Sequence, residues 1–414
     1  MSGNGRRLFS DDIVFAHNIL NFSPMNLSNS TCRMPNFLFC ALIYGICFYG
    51  AFDWYFRIFD ALSDTLVASG EAAIGIYASF VTLASLTTSV ISTGLNRKRI
   101  DTLKNRIETV EEFLTKNLSN RPKRGLFKLE YIKCLAILLP MIVSLTMEDI
   151  VVIHTTTKFD YQRRVLLDQA LIHFFDDLSL FIVLTIVFTV NQFRFTIFAF
   201  SIAGSYSSLN DILNSATFAF PATSSFPLEV EMNFLVEKNA KIVGDVLETH
   251  DILCDISENL LSVYRYIVSA SIAAIFAGLF TGLTYLEWLL RFDASTDLRY
   301  VFALGTTIVL FTVFWIFSFH HLVAKTQCCS TSVRNFSITC YNWYLKNYKF
   351  LPDDISRRIK ALLAQKRETR FVVWGYLVLE KPLLGEMLGK LGAMAIVFHQ
   401  CYNLGQCLPK FMIN

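Results

Sequence analysis

Residues 263–290 read VYRYIVSASIAAIFAGLFTGLTYLEWLL, and this stretch decides the fold class. Arg265 and Glu287 are its only charged residues, one near each end. A transmembrane helix needs about 20 consecutive, predominantly apolar residues to cross the hydrocarbon core of a bilayer. The stretch therefore predicts a membrane-spanning helix.

Comparable apolar runs recur along the whole chain. Six meet the length criterion clearly, near 36–56, 72–93, 131–153, 171–202, 263–290 and 300–324. A seventh, near 387–407, is weaker because Glu386, Lys390 and three glycines lie around its start. The sequence predicts an all-α membrane protein with seven transmembrane helices.

The composition agrees with this prediction. Of the 414 residues, 53% are hydrophobic and 17% are charged, whereas soluble domains are about a quarter charged. The 38 Phe residues also exclude an intrinsically disordered chain. The ten Cys are scattered, mostly within apolar runs, so they predict neither a disulfide framework nor a zinc site.

Lys and Arg are unevenly divided among the loops. Ten lie in 94–130 and eleven in 325–384, but only one lies in 57–71 and three in 154–170. Cytoplasmic loops carry the excess of positive charge in membrane proteins. The sequence therefore predicts a cytoplasmic N-terminal tail, residues 1–35, and an extracellular C-terminus. This orientation is the opposite of that of a G-protein-coupled receptor.

Helical periodicity continues beyond the spans. Residues 227–262 repeat apolar positions at helical spacing and are predicted to run unbroken into 263–290. The run at 171–202 would reach about 48 Å as a helix, so it must tilt or continue below the membrane. Arg194 lies at its inner end and is predicted to reach the lipid headgroups.

A separate amphipathic helix is predicted at 351–370. Asp353 or Asp354 caps it, and Ile355 and Ile359 begin its apolar face. Contact with another protein and a position on anionic lipid both fit this pattern. The basic residues of 94–130 are interpreted as a topogenic signal on a solvated face.

No catalytic motif is present. The sequence has no phosphate loop, dinucleotide-binding fingerprint, kinase motif set or nucleophile elbow. His320 and His321 are adjacent and point about 100° apart on a helix, which favours interfacial side chains over a shared metal. The basic residues flank membrane spans, so nucleic-acid binding is not indicated. We expect neither enzymatic activity nor a cofactor.

Acidic and aromatic residues gather at the predicted outer ends of the spans. Ionisable groups at membrane depth are costly and mark binding sites or pathways, and aromatic rings beside carboxylates suit a polar or cationic small molecule. Ordinary helix ends and an interfacial aromatic belt are the alternative. The predicted ligand-binding residues are Glu148, Asp149, His173, Asp176, Asp177, Tyr285 and Trp288.

Residues 374–400 read WGYLVLEKPLLGEMLGKLGAMAIVFHQ. This stretch resembles the C-terminal signature of insect gustatory receptors. The positions in frame are Gly375, Tyr376, Leu379, Glu380, Lys381, Leu383, Leu384, Gly389 and Gln400. Ala393 and Met394 replace the usual Thr-Tyr, and Cys401 replaces Phe. His250-x-x-Leu253-Cys254 is similar to the stretch of that family that leads into the fifth span.

The resemblance implies a tetrameric ligand-gated, non-selective cation channel of the plasma membrane, homomeric or heteromeric. Residues 36–324 would form a six-helix bundle with the ligand pocket, and 203–262 and 325–384 the cytoplasmic anchor elements. Residues 385–414 would hold the pore helix and a short extracellular tail. The implied pore-lining residues are Val397, Gln400 and Cys401.

Two other functions stay open from the sequence. The departures from the signature fit a related seven-helix protein that does not conduct ions. A small-molecule transporter is the other alternative, although no internal repeat of the transporter kind is visible. Gly385 and Gly389 form a GxxxG pair that fits either a contact between subunits or packing within one subunit.

Overall fold

The structure is a computed structural model. It describes residues 96–117, 164–216, 229–289, 298–365 and 370–411, together with the single positions 136, 139 and 143. The N-terminal tail, the predicted spans near 36–56 and 72–93, and most of 131–153 lie outside the described residues.

The described chain is helical apart from one short hairpin. Helices α1 to α4 are Arg97–Asn117, Arg164–Ser215, Glu229–Leu289 and Leu298–Asn347. A 3-10 turn at Tyr348–Phe350 precedes α5, Asp353–Gln365. Strands β1, Val372–Val373, and β2, Leu377–Val378, then lead into α6, Lys381–Phe411.

Three of these helices are much longer than a bilayer is thick. Helices α2, α3 and α4 have 52, 61 and 50 residues, so they reach about 78, 92 and 75 Å at 1.5 Å per residue. The hydrocarbon core is only about 30 Å thick. Among the described residues, two segments are long and apolar enough to cross a membrane, Glu237–Phe280 and Ile308–Asn347. The predicted continuity of 227–290 and of the run at 171–202 beyond its span is confirmed.

The long helices alternate in direction. Phe195 of α2 contacts Tyr264 of α3, while Tyr206, further along α2, contacts His250, which is earlier in α3. Helices α2 and α3 are therefore antiparallel. Gln192 of α2 hydrogen-bonds with Ser318 of α4, while Tyr206, later in α2, contacts Phe336, later in α4. Helices α2 and α4 are therefore parallel.

The bundle consequently has two distinct ends. The far end holds Arg164, Leu289 and Leu298. The opposite end holds Ser215 and Asn347, and we call it the α5 end because Ser356 of α5 contacts Tyr344 there. Trp343 Nε1 donates a 2.6 Å hydrogen bond to the carbonyl oxygen of Ala216, which ties α4 to the end of α2.

Helix α1 packs on the bundle through an apolar stripe that was not predicted, while its basic residues lie on a solvated face as predicted, since Arg99, Arg106 and Lys116 are exposed. Its buried residues recur every three or four positions and contact α3 and α2. All are at most 3% exposed: Ile100, Leu103, Ile107, Val110 and Leu114. This repeat places them on one stripe, whereas the Lys and Arg that dominate the composition of the segment lie elsewhere on the helix.

Helix α5 is confirmed, and its apolar face is buried against its own chain. Ile355 and Ile359 are 4% and 1% exposed, and α5 contacts α4 and α3. This intramolecular packing argues against insertion of that face into lipid. The predicted cap is wrong by one position, since Asp353 and Asp354 lie within the first turn. At this position their negative charges interact favourably with the positive end of the helix dipole.

The hairpin was not predicted. Its turn places Trp374 and Gly375 at φ values of 55° and 81°, and Tyr376 N donates to Val373 O at 3.4 Å. Two successive positive φ values match the tight hairpin turns that favour glycine. The short strands pair Val373 with Leu377.

Candidate functional site

One face of α6 packs on its own bundle. Leu383, Met387 and Leu391 follow one another at intervals of four residues and are 7%, 6% and 0% exposed. Helix α6 contacts α4 and α3. These three side chains therefore fix how the helix is rotated about its own axis.

The opposite face of α6 is open. At 100° per residue, Gly385, Gly389, Ile396 and Gln400 lie within about 60° of one another, and Ile396 lies about 180° from Met387. Ile396 is 60% exposed, and Gln400 is exposed. We call these four positions the open face.

The glycines of the open face do not pack within the subunit. A Cβ atom added at Gly385 or Gly389 would meet no atom within 4 Å. Among the glycines that the structure describes, a different pair, Gly278 and Gly282 of α3, makes close helix contacts. A Cβ at Gly278 would overlap the Trp315 ring, and a Cβ at Gly282 would overlap Thr312 Oγ1.

For the other two predicted pore residues, Val397 and Cys401, the structure gives only the position on the helix. Val397 and Cys401 lie on α6, about 100° from Ile396 and from Gln400 respectively. Glu386 and Lys390 are both exposed and lie on the same flank as Val397. The structure therefore places the charged pair beside the open face rather than at its centre.

The hairpin fastens the start of α6 to the rest of the bundle. Thr326 Oγ1 lies 3.0 Å from the Leu379 carbonyl oxygen, to which it can donate, and Lys381 N donates to Gln327 Oε1 at 3.3 Å. The Phe371 ring packs edge-on against Phe195 of α2 at 5.8 Å. A movement of α2 or α4 at this level would therefore be transmitted to the root of α6.

A buried polar pair joins α2 to α4. Ser318 Oγ donates to Gln192 Oε1 at 2.9 Å, and Gln192 Nε2 donates to the Ser318 carbonyl oxygen at 3.0 Å. Both side chains are 1% exposed. Polar pairs of this kind fix helix register where water is excluded.

Two sequence predictions about this level are wrong. Arg194, predicted to reach the headgroups, is 5% exposed within the bundle. His321, predicted as an interfacial side chain, is 8% exposed and packs edge-on against Phe193 at 5.4 Å, although His320 is exposed as expected. Both errors have the same cause. The hydropathy pattern indicates how deep in the membrane a residue lies, but it does not indicate whether its side chain faces a neighbouring helix.

The motif around His250 forms a buried cluster toward the α5 end. Tyr206 Oη lies 3.4 Å from Cys254 Sγ, which lies 3.5 Å from His250 Nε2. The His250 ring stacks on Phe336 at 4.8 Å. Burial, with smaller contributions from neighbouring Cys254, raises the pKa of the Tyr206 phenol well above its usual value. The cluster joins α2, α3 and α4, which is a packing role.

The predicted ligand residues fall partly within the described chain. His173, Asp176 and Asp177 lie on α2, and Tyr285 and Trp288 lie on α3. Because α2 and α3 are antiparallel with position 195 beside 264, the register brings the two groups to the same level near the far end.

Glu148 and Asp149 lie outside the described residues. Within the part of the chain that the structure describes, no three His, Cys, Asp or Glu side chains come together as a metal site.

Solved structures with a similar fold include those of the insect olfactory receptor OR5 from Machilis hrabei. For the receptor, the TM-score is 0.64 at 13% sequence identity, covering 94% of this chain and 97% of the receptor chain. The complex of the same receptor with eugenol gives the same TM-score and identity, with 95% and 97% covered. No family model matches this chain, and no curated protein matches it. The likeness shows that the chain has the insect olfactory receptor fold.

Proposed function

We propose that this chain is a subunit of a chemosensory, ligand-gated, non-selective cation channel in the plasma membrane. The shared fold over 94% of the chain supports a chemoreceptor channel. The C-terminal signature around Glu380, Lys381 and Gln400 favours a gustatory member. The cytoplasmic N-terminus rests on the distribution of Lys and Arg among the loops.

The observation that carries the proposal is the open face of α6. A pore helix needs one face held by its own subunit and the opposite face free to border a shared axis. Helix α6 has both, with Leu383, Met387 and Leu391 buried and the glycines of the open face clear of other atoms. Gln400 would present a polar side chain to a hydrated ion.

The assembly we propose contains four like subunits. Two surfaces support association of copies: the open face itself and a stripe formed by the last turns of α4 and the 3-10 turn after it. This stripe repeats at helical spacing, and its large side chains are each about half exposed: Ile338, Tyr341, Leu345 and Tyr348. Exposed apolar patches of this kind mark protein contacts.

The ligand we propose is a small molecule that enters from the outer side at the far end. The register of α2 and α3 supports this position, because it brings His173, Asp176 and Asp177 to the level of Tyr285 and Trp288. Glu148 and Asp149 complete the proposed set. The related receptor binds eugenol, so a phenolic ligand belongs in the test panel with sugars, bitter compounds and amines.

The experiment is expression of the chain in oocytes with current recorded during application of this panel. A ligand-evoked current that reverses near 0 mV in mixed sodium and potassium solutions would support the proposal. Gln400→Glu adds a carboxylate to the open face and should increase the permeability of divalent relative to monovalent cations. The same change at Gln365, at the end of α5, is the matched control and should leave this ratio unchanged.

Two results would contradict the channel. Ligand uptake without current would indicate a transporter. Ligand binding to purified chain in the absence of any current, in cells where the chain reaches the surface, would indicate a non-conducting relative.

A further inference from the structure

We infer that the tip of the hairpin, Trp374 and Tyr376, is an anchor that lies among anionic phospholipid headgroups at one surface of the membrane. The inference goes beyond the proposed function, because it gives a lipid partner to a segment that the resemblance places in a cytoplasmic anchor element. The proposed orientation enters only in naming that surface as the cytoplasmic one.

The hairpin lies where the apolar runs of two neighbouring helices stop. At its base, the Leu379 carbonyl oxygen lies 3.0 Å from Thr326 Oγ1 of α4, and the apolar run of α4 ends near 324. Phe371 packs on Phe195, which contacts Tyr264 of α3, and the apolar run of α3 begins at 263. Both helices therefore place the hairpin at the boundary between the hydrocarbon core and the headgroups.

The same boundary carries exposed aromatic and basic side chains. Tyr266 of α3 is 61% exposed, and Arg265 beside it is exposed as well. On α4, Lys325 Nζ lies 4.1 Å from the centroid of the Phe200 ring. Trp and Tyr are enriched at membrane–water interfaces, and Lys and Arg reach from there to the headgroups. The composition of this level is thus typical of a membrane interface.

The hairpin has a buried base and an open tip. The side chains of its base are at most 2% exposed: Phe371, Val373 and Leu379. Trp374 and Tyr376 are 42% and 74% exposed, and their ring centroids are 6.3 Å apart. A turn with two positive φ values favours Asn, Asp or Gly, so its geometry gives no reason for tryptophan at φ 55°. An aromatic ring with a polar handle, at home at a membrane interface, supplies that reason.

The charge beside the tip favours an anionic lipid. Between 370 and 381 the sequence holds two basic residues, Arg370 and Lys381, and one acidic residue, Glu380. Both basic residues are exposed, whereas Glu380 is partly buried. The cytoplasmic leaflet contains anionic lipids, and each Lys or Arg near its surface adds to the attraction.

A neighbouring copy of the chain is the other surface that could cover the two rings. In a symmetric assembly, a copy presents the same basic residues at this level, Arg265, Lys325 and Lys381. It would therefore add positive charge where negative charge is needed, and lipid is the better match.

A lipid held at the tip would act on the start of α6. The hairpin runs directly into this helix, and Lys381 N donates to Gln327 Oε1 of α4 at 3.3 Å. The anchor would therefore fix the height of the root of α6 relative to the membrane surface.

The first test detects lipid at the tip. Full-length chain is reconstituted into nanodiscs of phosphatidylcholine, with and without phosphatidylcholine brominated near the glycerol backbone, which quenches tryptophans that it contacts. The chain has five Trp, so the contribution of Trp374 is the difference between the unmodified chain and Trp374→Phe. We expect Trp374→Phe to lose part of the quenchable fluorescence. If bromination removes the same absolute intensity from both chains, the ring does not contact lipid and the inference is overturned.

The second test measures the preference for negative charge. The apparent melting temperature of each chain is compared in nanodiscs of phosphatidylcholine alone and of phosphatidylcholine with phosphatidylserine, so that a general loss of stability cancels in the difference. A lipid that binds the folded chain stabilises it. Phosphatidylserine should therefore raise the melting temperature of the unmodified chain, and the rise should be smaller for the double variant Arg370→Gln/Lys381→Gln.

The matched control removes two exposed charges of α5, in Arg357→Gln/Arg358→Gln. These residues follow Ser356, which contacts Tyr344, and Tyr344 lies about 27 Å beyond Thr326 along α4. That distance exceeds the Debye length of about 8 Å, so this variant should keep the full rise.

Two results of the second test would overturn the anionic lipid: no rise for the unmodified chain, or equal rises for the two double variants. Both tests use neither ligand nor current, and both surfaces of a nanodisc carry the same lipids. A chain that never conducts would therefore refute the proposed channel while leaving the lipid anchor standing.

Discussion

Replacing Gly278 by alanine tests the close contact between α3 and α4. An added Cβ atom would overlap Cε2 and Nε1 of the Trp315 ring and would lie 2.6 Å from its Cδ1. Trp315 is 1% exposed and is enclosed by the Phe314 and Phe311 rings at 4.9 and 6.0 Å. A rigid ring in such a site has little room to move.

The expected loss follows from this overlap. Overpacking a well-packed core costs about 1–3 kcal/mol, and contact with three ring atoms places Gly278→Ala in the upper part of that range. At roughly 2 °C per kcal/mol, the apparent melting temperature should fall by about 4–6 °C. The assay is the thermal loss of the monodisperse peak in size-exclusion chromatography of the detergent-solubilised chain.

The same substitution elsewhere in α3 is the control. A Cβ at Gly244 would meet no atom within 4 Å. Gly244→Ala should therefore raise the free energy of unfolding by about 0.5–1 kcal/mol, because alanine loses less backbone entropy on folding than glycine does. Trp315→Phe frees space beside Gly278, so the double variant should lose less stability than the two single losses together. If Gly278→Ala matches Gly244→Ala, or if the two losses simply add, the close contact does not exist.

The remaining predictions concern the hairpin and the buried polar pair. Thr326→Val removes the hydroxyl near the Leu379 carbonyl and should cost about 1 kcal/mol, measured as a lower apparent melting temperature; Thr326→Ser, which keeps the hydroxyl, should restore most of the loss. Gly375→Ala forces alanine to φ 81° and should cost about 1–2 kcal/mol, read from the same melting curve; an unchanged melting temperature would contradict the turn geometry. Gln192→Leu and Ser318→Ala should each cost about 1–3 kcal/mol, and a double-variant cycle should show coupling of at least 0.5 kcal/mol; simple additivity would exclude the pair.

Helix length and helix continuity could be predicted from local sequence. The apolar repeat of 227–262 continues into the span that follows, and no proline occurs between 228 and 290, so an unbroken helix was expected and α3 is one. The apolar face of α5 was also predicted correctly, because Ile355 and Ile359 share a face at helical spacing.

Two elements were missed for different reasons. The stripe of α1 was readable, since Ile100, Leu103 and Ile107 alternate at spacings of three and four, but the dense positive charge of the segment was given more weight. The hairpin has two residues in each strand, too few to show a period of two, and only Gly375 indicated a turn.

The open face of α6 could be predicted only in part from the sequence motif. The signature marked Gln400 and Gly389, and the GxxxG spacing added Gly385, but neither pattern could say whether the two glycines pack within the subunit. The structure answers this through Gly278 and Gly282, which make the close contacts in their place.

Local sequence was enough to predict the apolar parts of α2, α3 and α4 and the charges that flank them, because those properties depend on residue type and spacing along one helix. Only the tertiary structure decided which face of each helix meets a neighbour. Arg194 and His321 became buried and Ile396 became exposed because packing fixes the rotation of each helix about its axis, and that rotation depends on contacts between residues far apart in the chain.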